Sequence, residues 1–147
     1  MELQLSDRIH FIGIGGVSMS ALAHALVDMG YRVSGSDRGD GPVLAGLRQA
    51  GIEAYVGHAA QHVFDTDVVV YTTAIAADNP EIQAARALGK KVFHRSELLA
   101  WLMRGRQAVA VTGTHGKTTT SAMVGVILEH AGLDPTVFVG GLVNNWG

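Results

Sequence analysis

The chain repeats one local pattern, in which a helical segment ends in glycine and a short apolar run follows at once. The glycines that end these segments are Gly30, Gly51, Gly89 and Gly132. Glycine is favoured just past a helix end because it adopts the left-handed conformation without a steric penalty. This alternation is typical of folds in which short buried strands are connected by helices. The pattern therefore predicts an α/β fold with a mainly parallel sheet.

Apolar runs predict six strands, at residues 8–14, 31–36, 52–56, 68–71, 91–94 and 107–112. Short runs of this kind are typical of strands buried on both faces of a parallel sheet. Periodic segments predict five helices, one that ends before Gly30 and others at 43–50, 80–88, 96–103 and 117–131. Helical spacing predicts the apolar faces at Met19, Leu22, Ala23 and Leu26 in the first helix and at Met123, Val126, Ile127 and His130 in the last.

Two helix starts carry local signals. Asn79 is a good capping residue, Pro80 is tolerated in the first turn, and Glu81 lies favourably at the positive end of the helix dipole. Ser96 is expected to cap the helix at 96–103.

The domain boundary is expected near Gly105. Residues 1–105 would form one α/β domain, and residues 106–147 would begin a second. This second segment is too short to bury both faces of a sheet by itself. Its apolar faces are therefore expected to dock on the first domain, to pair with a second copy of the chain, or to be poorly ordered.

Charge and composition exclude several classes of protein. The net charge is −2, with 11 basic and 13 acidic residues scattered along the chain, which gives no footprint for a nucleic acid or an anionic membrane. No stretch approaches the ~20 uninterrupted apolar residues that a membrane span needs. The chain has no cysteine, and its start lacks the features of a secretory signal. We expect a soluble, cytoplasmic protein.

The most specific motif runs from Thr112 to Thr120, with the sequence Thr-Gly-Thr-His-Gly-Lys-Thr-Thr-Thr between a predicted strand and a predicted helix. A glycine turn in this setting aims backbone N–H groups and the helix dipole at phosphate oxygens. Lys117 adds a positive charge for the terminal phosphates, and the Thr118 hydroxyl is suited to bind Mg²⁺. The motif therefore predicts an ATP site, although only two residues separate Gly113 from Gly116, fewer than in a general P-loop.

A second glycine-rich turn, Gly13-Ile14-Gly15-Gly16-Val17-Ser18, opens the first helix. Asp37 follows about 20 residues later at the end of the second strand, where a ribose hydroxyl is read in dinucleotide sites. Ser18 replaces the last glycine of the dinucleotide pattern. The residues alone therefore suggest a diphosphate cradle and leave NAD as one candidate ligand.

The shortened phosphate loop resembles the ATP-binding motif of the Mur ligases. Further blocks are similar in order and spacing, namely 10–16, 34–37, 73–75 with 79–81, and 140–141. The resemblance covers essentially the whole chain. It implies a Rossmann-like UDP-sugar domain followed by the first strand, loop and helix of the central ATP-binding domain.

The resemblance implies roles for particular residues. Lys117 and Thr118 would be catalytic, with Thr118 holding Mg²⁺ through ATP. ATP would lie on Gly113, Thr114, His115, Gly116, Lys117, Thr118 and Thr119. The UDP-linked substrate would lie on Gly13, Gly15, Gly16, Val17, Ser18, Met19, Ser36, Asp37, Thr73, Ala74 and Arg95.

The implied activity is the ATP-dependent ligation of L-alanine to UDP-N-acetylmuramate in peptidoglycan synthesis, through an acyl phosphate. The family's central domain continues beyond the phosphate loop, and a carboxy-terminal domain closes over ATP and the amino acid. We therefore expect these 147 residues to bind the UDP-sugar without completing ligation.

Three other functions account for part of the pattern. A murein-peptide ligase joins the same UDP-sugar to a ready-made peptide, and the blocks at 34–37, 73–75 and 141–144 favour the alanine ligase over it. A non-catalytic NAD-binding sensor would account for the first glycine turn and Asp37, but it has no need of Lys117 and Thr118. A P-loop ATPase switch is disfavoured by the shortened loop.

His58 and His62 are four residues apart and could share a helix face, as metal ligands do. No further Cys, His or acidic residue is placed by the sequence to complete such a site. We interpret both histidines as surface residues.

Overall fold

The computed structural model, which describes residues 2–139, contains one sheet of five parallel strands. The strands are β1 Arg8–Ile12, β2 Arg32–Asp37, β3 Glu53–Val56, β4 Val68–Tyr71 and β5 Lys91–His94, in the order β3-β2-β1-β4-β5. The predicted α/β fold with a parallel, Rossmann-like sheet is confirmed, as are its first five strands. Because all pairings are parallel, the carboxyl ends of the strands share one edge of the sheet.

Helices cover the sheet as the crossover rule requires. Those that contact strands are α1 Val17–Asp28, α2 Pro42–Gln49, α3 Pro80–Ala87 and α4 Arg95–Leu102, and a short 3₁₀ helix lies at Ala60–Val63. A further helix, α5, spans Lys117–His130. The buried face of α1 consists of Met19, Leu22, Ala23 and Leu26, as the periodicity predicts. No helix within residues 2–139 is both long enough and apolar enough to cross a membrane.

The chain divides into two compact units, Met1–Arg104 and Gly105–Gly147. The sheet and α1 to α4 belong to the first unit, and α5 belongs to the second. In both units the glycine past a helix end has a positive φ, which is 90° at Gly30, 82° at Gly51, 67° at Gly89 and 74° at Gly132. The glycines that predicted the helix ends therefore adopt the left-handed conformation expected of them.

Asn79 caps α3 as predicted. Its side-chain oxygen accepts hydrogen bonds from the N–H groups of Glu81, at 2.9 Å, and Ile82, at 3.4 Å. We expect Asn79→Ala to lower the free energy of unfolding by about 1 kcal/mol, because both N–H groups lose this partner. Urea denaturation followed by circular dichroism measures the change. Asp78→Ala, at an exposed neighbouring position, is the control, and equal stability of the two variants would contradict the capping role.

The predicted cap of α4 was wrong by two residues. His94, not Ser96, is the capping residue, and its ring nitrogen Nδ1 accepts a hydrogen bond from the Ser96 N–H at 3.3 Å. The Glu97 carboxylate accepts from the His94 N–H at 2.8 Å, which completes a capping box. β5 runs directly into α4, so its last residue also caps the helix.

The predicted strand at 107–112 is not formed. A strand needs a neighbour for its backbone hydrogen bonds, and the described part of the second unit contains no other strand. On the predicted apolar stripe of α5, Met123 is 61% exposed and Ile127 is 64% exposed. An apolar stripe is buried only where a partner surface covers it. The sequence blocks at 140–141 and 141–144 lie outside the described residues.

Candidate functional site

The first glycine turn lies at the carboxyl edge of the sheet, between β1 and α1. The N–H groups of Gly13 and Ile14 both donate to the backbone oxygen of Ser36, at 2.8 and 3.0 Å. The Gly16 N–H donates to the oxygen of Gly13 at 3.3 Å, and α1 begins at the next residue. The turn is therefore tied to the end of β2 and leads directly into a helix N-terminus, the arrangement that cradles a phosphate.

Asp37 closes one side of this turn. Its carboxylate oxygen Oδ2 accepts a hydrogen bond from the Gly15 N–H at 2.9 Å. A Cβ atom at Gly15 would lie 2.8 Å from that oxygen and 3.0 Å from Leu44 Cδ1, so only glycine fits without displacing them. A cavity of about 240 Å³ opens beside them, lined by Gly15, Asp37, Gly39, Asp40, Gly41, Pro42, Val43 and Leu44.

The turn that follows β4 approaches from the other side. A Cβ atom built at Gly13 would lie 3.3 Å from Ile75 Cδ1 and 3.5 Å from Thr72 Cγ2, so the two turns are in contact. Thr73 and Ala74 are exposed at the tip of the β4 turn. The register pairs Tyr71 with His94, which brings the first residue of α4, Arg95, to the same edge.

Two of the predicted substrate residues do not present their side chains to this edge. Met19 is 2% exposed and packs in the core, so only its backbone is available to a ligand. Ser36 is fully buried, and its hydroxyl donates to Glu81. Val17 and Ser18, in contrast, are exposed in the first turn of α1.

Beneath the turn lies a buried polar cluster, which we call the Glu81 cluster and which consists of His10, Ser36, His58, His62 and Glu81. The Ser36 hydroxyl donates to Glu81 Oε2 at 2.6 Å. His58 Nδ1 lies 3.0 Å from the same oxygen, and His62 Nδ1 lies 2.7 Å from Oε1. His10 Nε2 is 3.5 Å from Oε1, and Tyr55 stacks on the His62 ring at 4.3 Å. A single carboxylate therefore joins residues from β1, β2, the loop after β3, the 3₁₀ helix and α3.

The carboxylate of Glu81 is ionised although it is fully buried. Burial by itself raises the pKa of Glu81, but the nearby His10 ring and the hydrogen bonds with Ser36 and His62 outweigh it and lower the pKa to about 2. Hydrogen bonds that favour the charged form of a carboxylate act in this direction. The surroundings thus favour the ionised form of Glu81 inside the first unit.

The interpretation of His58 and His62 as surface residues was wrong, because their side chains are 16% and 13% exposed. Their acidic partner is not evident from the sequence, because Glu81 is 19 residues or more away along the chain. Within residues 2–139 no group of His, Cys, Asp and Glu side chains is arranged to hold a metal ion. The direct contacts of 2.7 and 3.0 Å instead make the cluster a hydrogen-bond network.

The second unit carries the predicted phosphate loop. Gly113 and Gly116 have φ values of 148° and 74°, and Gly116 precedes the first residue of α5. The Lys117 ammonium folds back over the loop, where it donates to the backbone oxygens of Gly113 and Thr114, the latter at 3.2 Å. Thr118 and Thr119 are exposed in the first turn of α5. Loop and helix therefore present the predicted groups at a helix N-terminus.

Comparison with known proteins gives a consistent family. The sequence pattern of the Mur ligase family, catalytic domain, matches residues 8–107. The chain is 53% identical over 144 residues to the UDP-N-acetylmuramate–L-alanine ligase of Mesorhizobium japonicum, covering 98% of this chain and 31% of the relative. It is 51% identical over 142 residues to the ligase of the same name from Syntrophobacter fumaroxidans. The chain thus spans about a third of the length of these relatives.

Solved structures of similar ligases have the same fold as this chain. The UDP-N-acetylmuramate–alanine ligase of Thermotoga maritima superposes with a TM-score of 0.88 at 42% identity, over 95% of this chain and 33% of the other. The UDP-N-acetylmuramate:L-alanyl-γ-D-glutamyl-meso-diaminopimelate ligase of Neisseria meningitides superposes with a TM-score of 0.90 at 34% identity, over 96% of this chain and 45% of the other. The matched sequence pattern covers most of the chain, and the fold agrees with it throughout. This chain belongs to the Mur ligase family.

Proposed function

We propose that the chain is part of an ATP-dependent ligase that joins L-alanine to UDP-N-acetylmuramate in peptidoglycan synthesis, in the cytoplasm. In this reaction the γ-phosphoryl group of ATP moves to a carboxylate oxygen of the sugar substrate, and ADP leaves. The amine of L-alanine then attacks the acyl phosphate, and inorganic phosphate leaves. Such a reaction depends on positioning and on neutralising phosphate charge.

The observation that carries the proposal is the geometry of the first glycine turn. Gly13, Gly15 and Gly16 lead into α1 at the carboxyl edge of a parallel sheet, where nucleotide ligands bind in folds of this class. The turn lies beside the cavity at Asp37, and the exposed residues Thr73 and Ala74 flank its other side. We propose that the substrate diphosphate lies on the turn and the α1 N-terminus. Binding this remote group would fix the reacting carboxylate in place.

The second unit fits the phosphates of ATP. Lys117 places its ammonium over the loop formed by Gly113 to Gly116, where two backbone oxygens hold it until a phosphate replaces them. The exposed Thr118 hydroxyl would hold Mg²⁺, which ATP phosphates coordinate with few protein ligands. Thr114, His115 and Thr119 complete the proposed ATP contacts.

A murein-peptide ligase is the second candidate, because the Neisseria structure superposes as well as the alanine ligase does. Both candidates take the same UDP-sugar, so the proposed site serves either. The identities favour L-alanine, at 53% for the Mesorhizobium ligase against 34% for the Neisseria structure. An NAD sensor is disfavoured, because such a module has no need of a phosphate loop with Lys117 and Thr118.

Calorimetric titration of this chain with UDP-N-acetylmuramate, UDP, NAD and MgATP tests the proposal. We expect the first two to bind, and we expect Gly15→Ala to weaken both about tenfold, because overpacking of about 1.4 kcal/mol displaces Asp37 and Leu44 at the cavity. The matched control is Gly46→Ala in α2, where an added Cβ meets no atom within 4 Å. Binding of NAD without UDP, or equal affinities for both variants, would contradict the proposed site.

A further inference from the structure

We propose that Glu81 is a positioning residue for the UDP-sugar site, holding the glycine turn in its binding conformation through Ser36. This inference rests on the proposed function, because it concerns the same site. Glu81 itself is fully buried and is not one of the residues that line the cavity. Its effect must therefore pass through the residues that it contacts.

Ser36 is the link between the carboxylate and the turn. Its hydroxyl donates to Glu81 Oε2 at 2.6 Å, while its backbone oxygen accepts from both Gly13 and Ile14, at 2.8 and 3.0 Å. The side chain of Ser36 thus binds Glu81, and its backbone oxygen binds the glycine turn. A carboxylate that fixes the Ser36 side chain also fixes the oxygen on which the turn closes.

His58 provides a second connection between Glu81 and the glycine turn. The Gly57 N–H donates to the backbone oxygen of Asp37 at 2.7 Å, and the next residue, His58, places Nδ1 2.9 Å from the Ser36 hydroxyl and 3.0 Å from Glu81. The cluster therefore fixes the chain on both sides of the Ser36–Asp37 bond. Asp37 in turn accepts the Gly15 N–H, so both ends of the glycine turn depend on this short segment.

Filling the space around Glu81 would not require a charged, hydrogen-bonded cluster. A buried carboxylate has to be desolvated, and apolar side chains of similar volume fill such a space at lower cost. Five polar groups instead face Glu81, namely His10 from β1, Ser36 from β2, the Ala59 N–H, His58 and His62. Hydrogen bonds to a charged acceptor are stronger and more directional than neutral ones. A network of this kind specifies one backbone geometry.

The test uses the full chain, three single variants and the Glu81→Gln/Ser36→Ala double variant. Glu81→Gln keeps the shape of the side chain and removes its charge, and Ser36→Ala removes the linking hydroxyl while leaving the carboxylate in place. The matched control is Glu97→Gln. Glu97 lies in the first turn of α4, as Glu81 does in α3, and both helices have eight residues. The glutamine keeps an oxygen that can accept the His94 N–H. Amide NMR spectra of the ligand-free chains report the Gly13 and Ile14 N–H groups, and calorimetry with UDP and UDP-N-acetylmuramate reports affinity.

We expect Glu81→Gln and Ser36→Ala each to shift the Gly13 and Ile14 amide resonances and to weaken UDP binding about tenfold, with less than additive loss in the double variant. Glu97→Gln should leave the resonances and the affinity unchanged. Unshifted resonances and unchanged affinity in a folded Ser36→Ala variant would overturn the inference, whatever the stability of Glu81→Gln. If the unaltered chain binds neither UDP compound, the proposed function fails instead, and the NMR comparison still decides whether Glu81 positions the turn.

Discussion

Replacing Gly35 by alanine is expected to lower the free energy of unfolding by about 3 kcal/mol, because β2 has no room for a side-chain atom there. A Cβ atom at Gly35 would lie 2.5 Å from Ile14 Cδ1 and 2.8 Å from both Ile14 Cβ and the backbone oxygen of Phe11. The last two atoms are close to or within the backbone, and both residues are fully buried. Relief would require β1 and β2 to move apart at the point where the glycine turn begins.

Urea denaturation followed by circular dichroism measures this loss. Gly46→Ala is a control of opposite sign, because its Cβ would meet open space within α2, and alanine stabilises a helix relative to glycine by about 1 kcal/mol. A Gly35→Ala chain as stable as the unaltered one would mean that the strands adjust without cost.

Acid is expected to remove about 3 kcal/mol of stability through Glu81 alone. The pKa of Glu81 falls from an ordinary value of 4.5 to about 2 in the folded chain, through hydrogen bonds that outweigh the effect of burial. A group whose pKa is lowered by folding stabilises the folded state at pH values above its unfolded pKa. That contribution is complete above about pH 5 and is lost as the pH falls through about 4.5 toward 2.

The comparison that isolates this contribution is the free energy of unfolding of the unaltered chain and of Glu81→Gln across the same pH range. Carboxylates away from the cluster titrate equally in both chains, so the change in the difference between the two curves below about pH 4.5 measures the titration of Glu81. We expect the unaltered chain to be the more stable near neutral pH and its advantage to shrink below about pH 4.5. Curves that run parallel down to about pH 2 would show that Glu81 is not preferentially ionised in the folded chain.

The parts of the fold that sequence predicts are those set by local chemistry. Gly30 past the end of α1 and Asn79 before α3 act through their own backbone or immediate neighbours, so their roles follow from the residue type. The buried face of α1 follows from helical spacing in the same way. The strand at 107–112 was predicted from its apolar composition, but a strand forms only beside another strand, and composition carries no information about that neighbour.

In the candidate site too, the features set by local sequence could be predicted and those formed by distant residues could not. The glycine turn and Asp37 could be predicted because their spacing follows a known strand–turn–helix arrangement. The Glu81 cluster could not, because its members are spread over 72 positions from His10 to Glu81 and meet only when the sheet is assembled. The sequence contains one indication of the cluster. His10 lies within the apolar run of β1, where a buried polar side chain requires a hydrogen-bond partner.

The two edges of the sheet bear on how the protein behaves at high concentration. β3 and β5 are the outermost strands, each only four residues long, and each begins with an exposed charged residue, Glu53 or Lys91. Short, charged edges are poor templates for adding a strand from another molecule. Any fibril-like growth would therefore have to start away from this sheet, and the exposed apolar side chains of α5 are the surface on which to look for it.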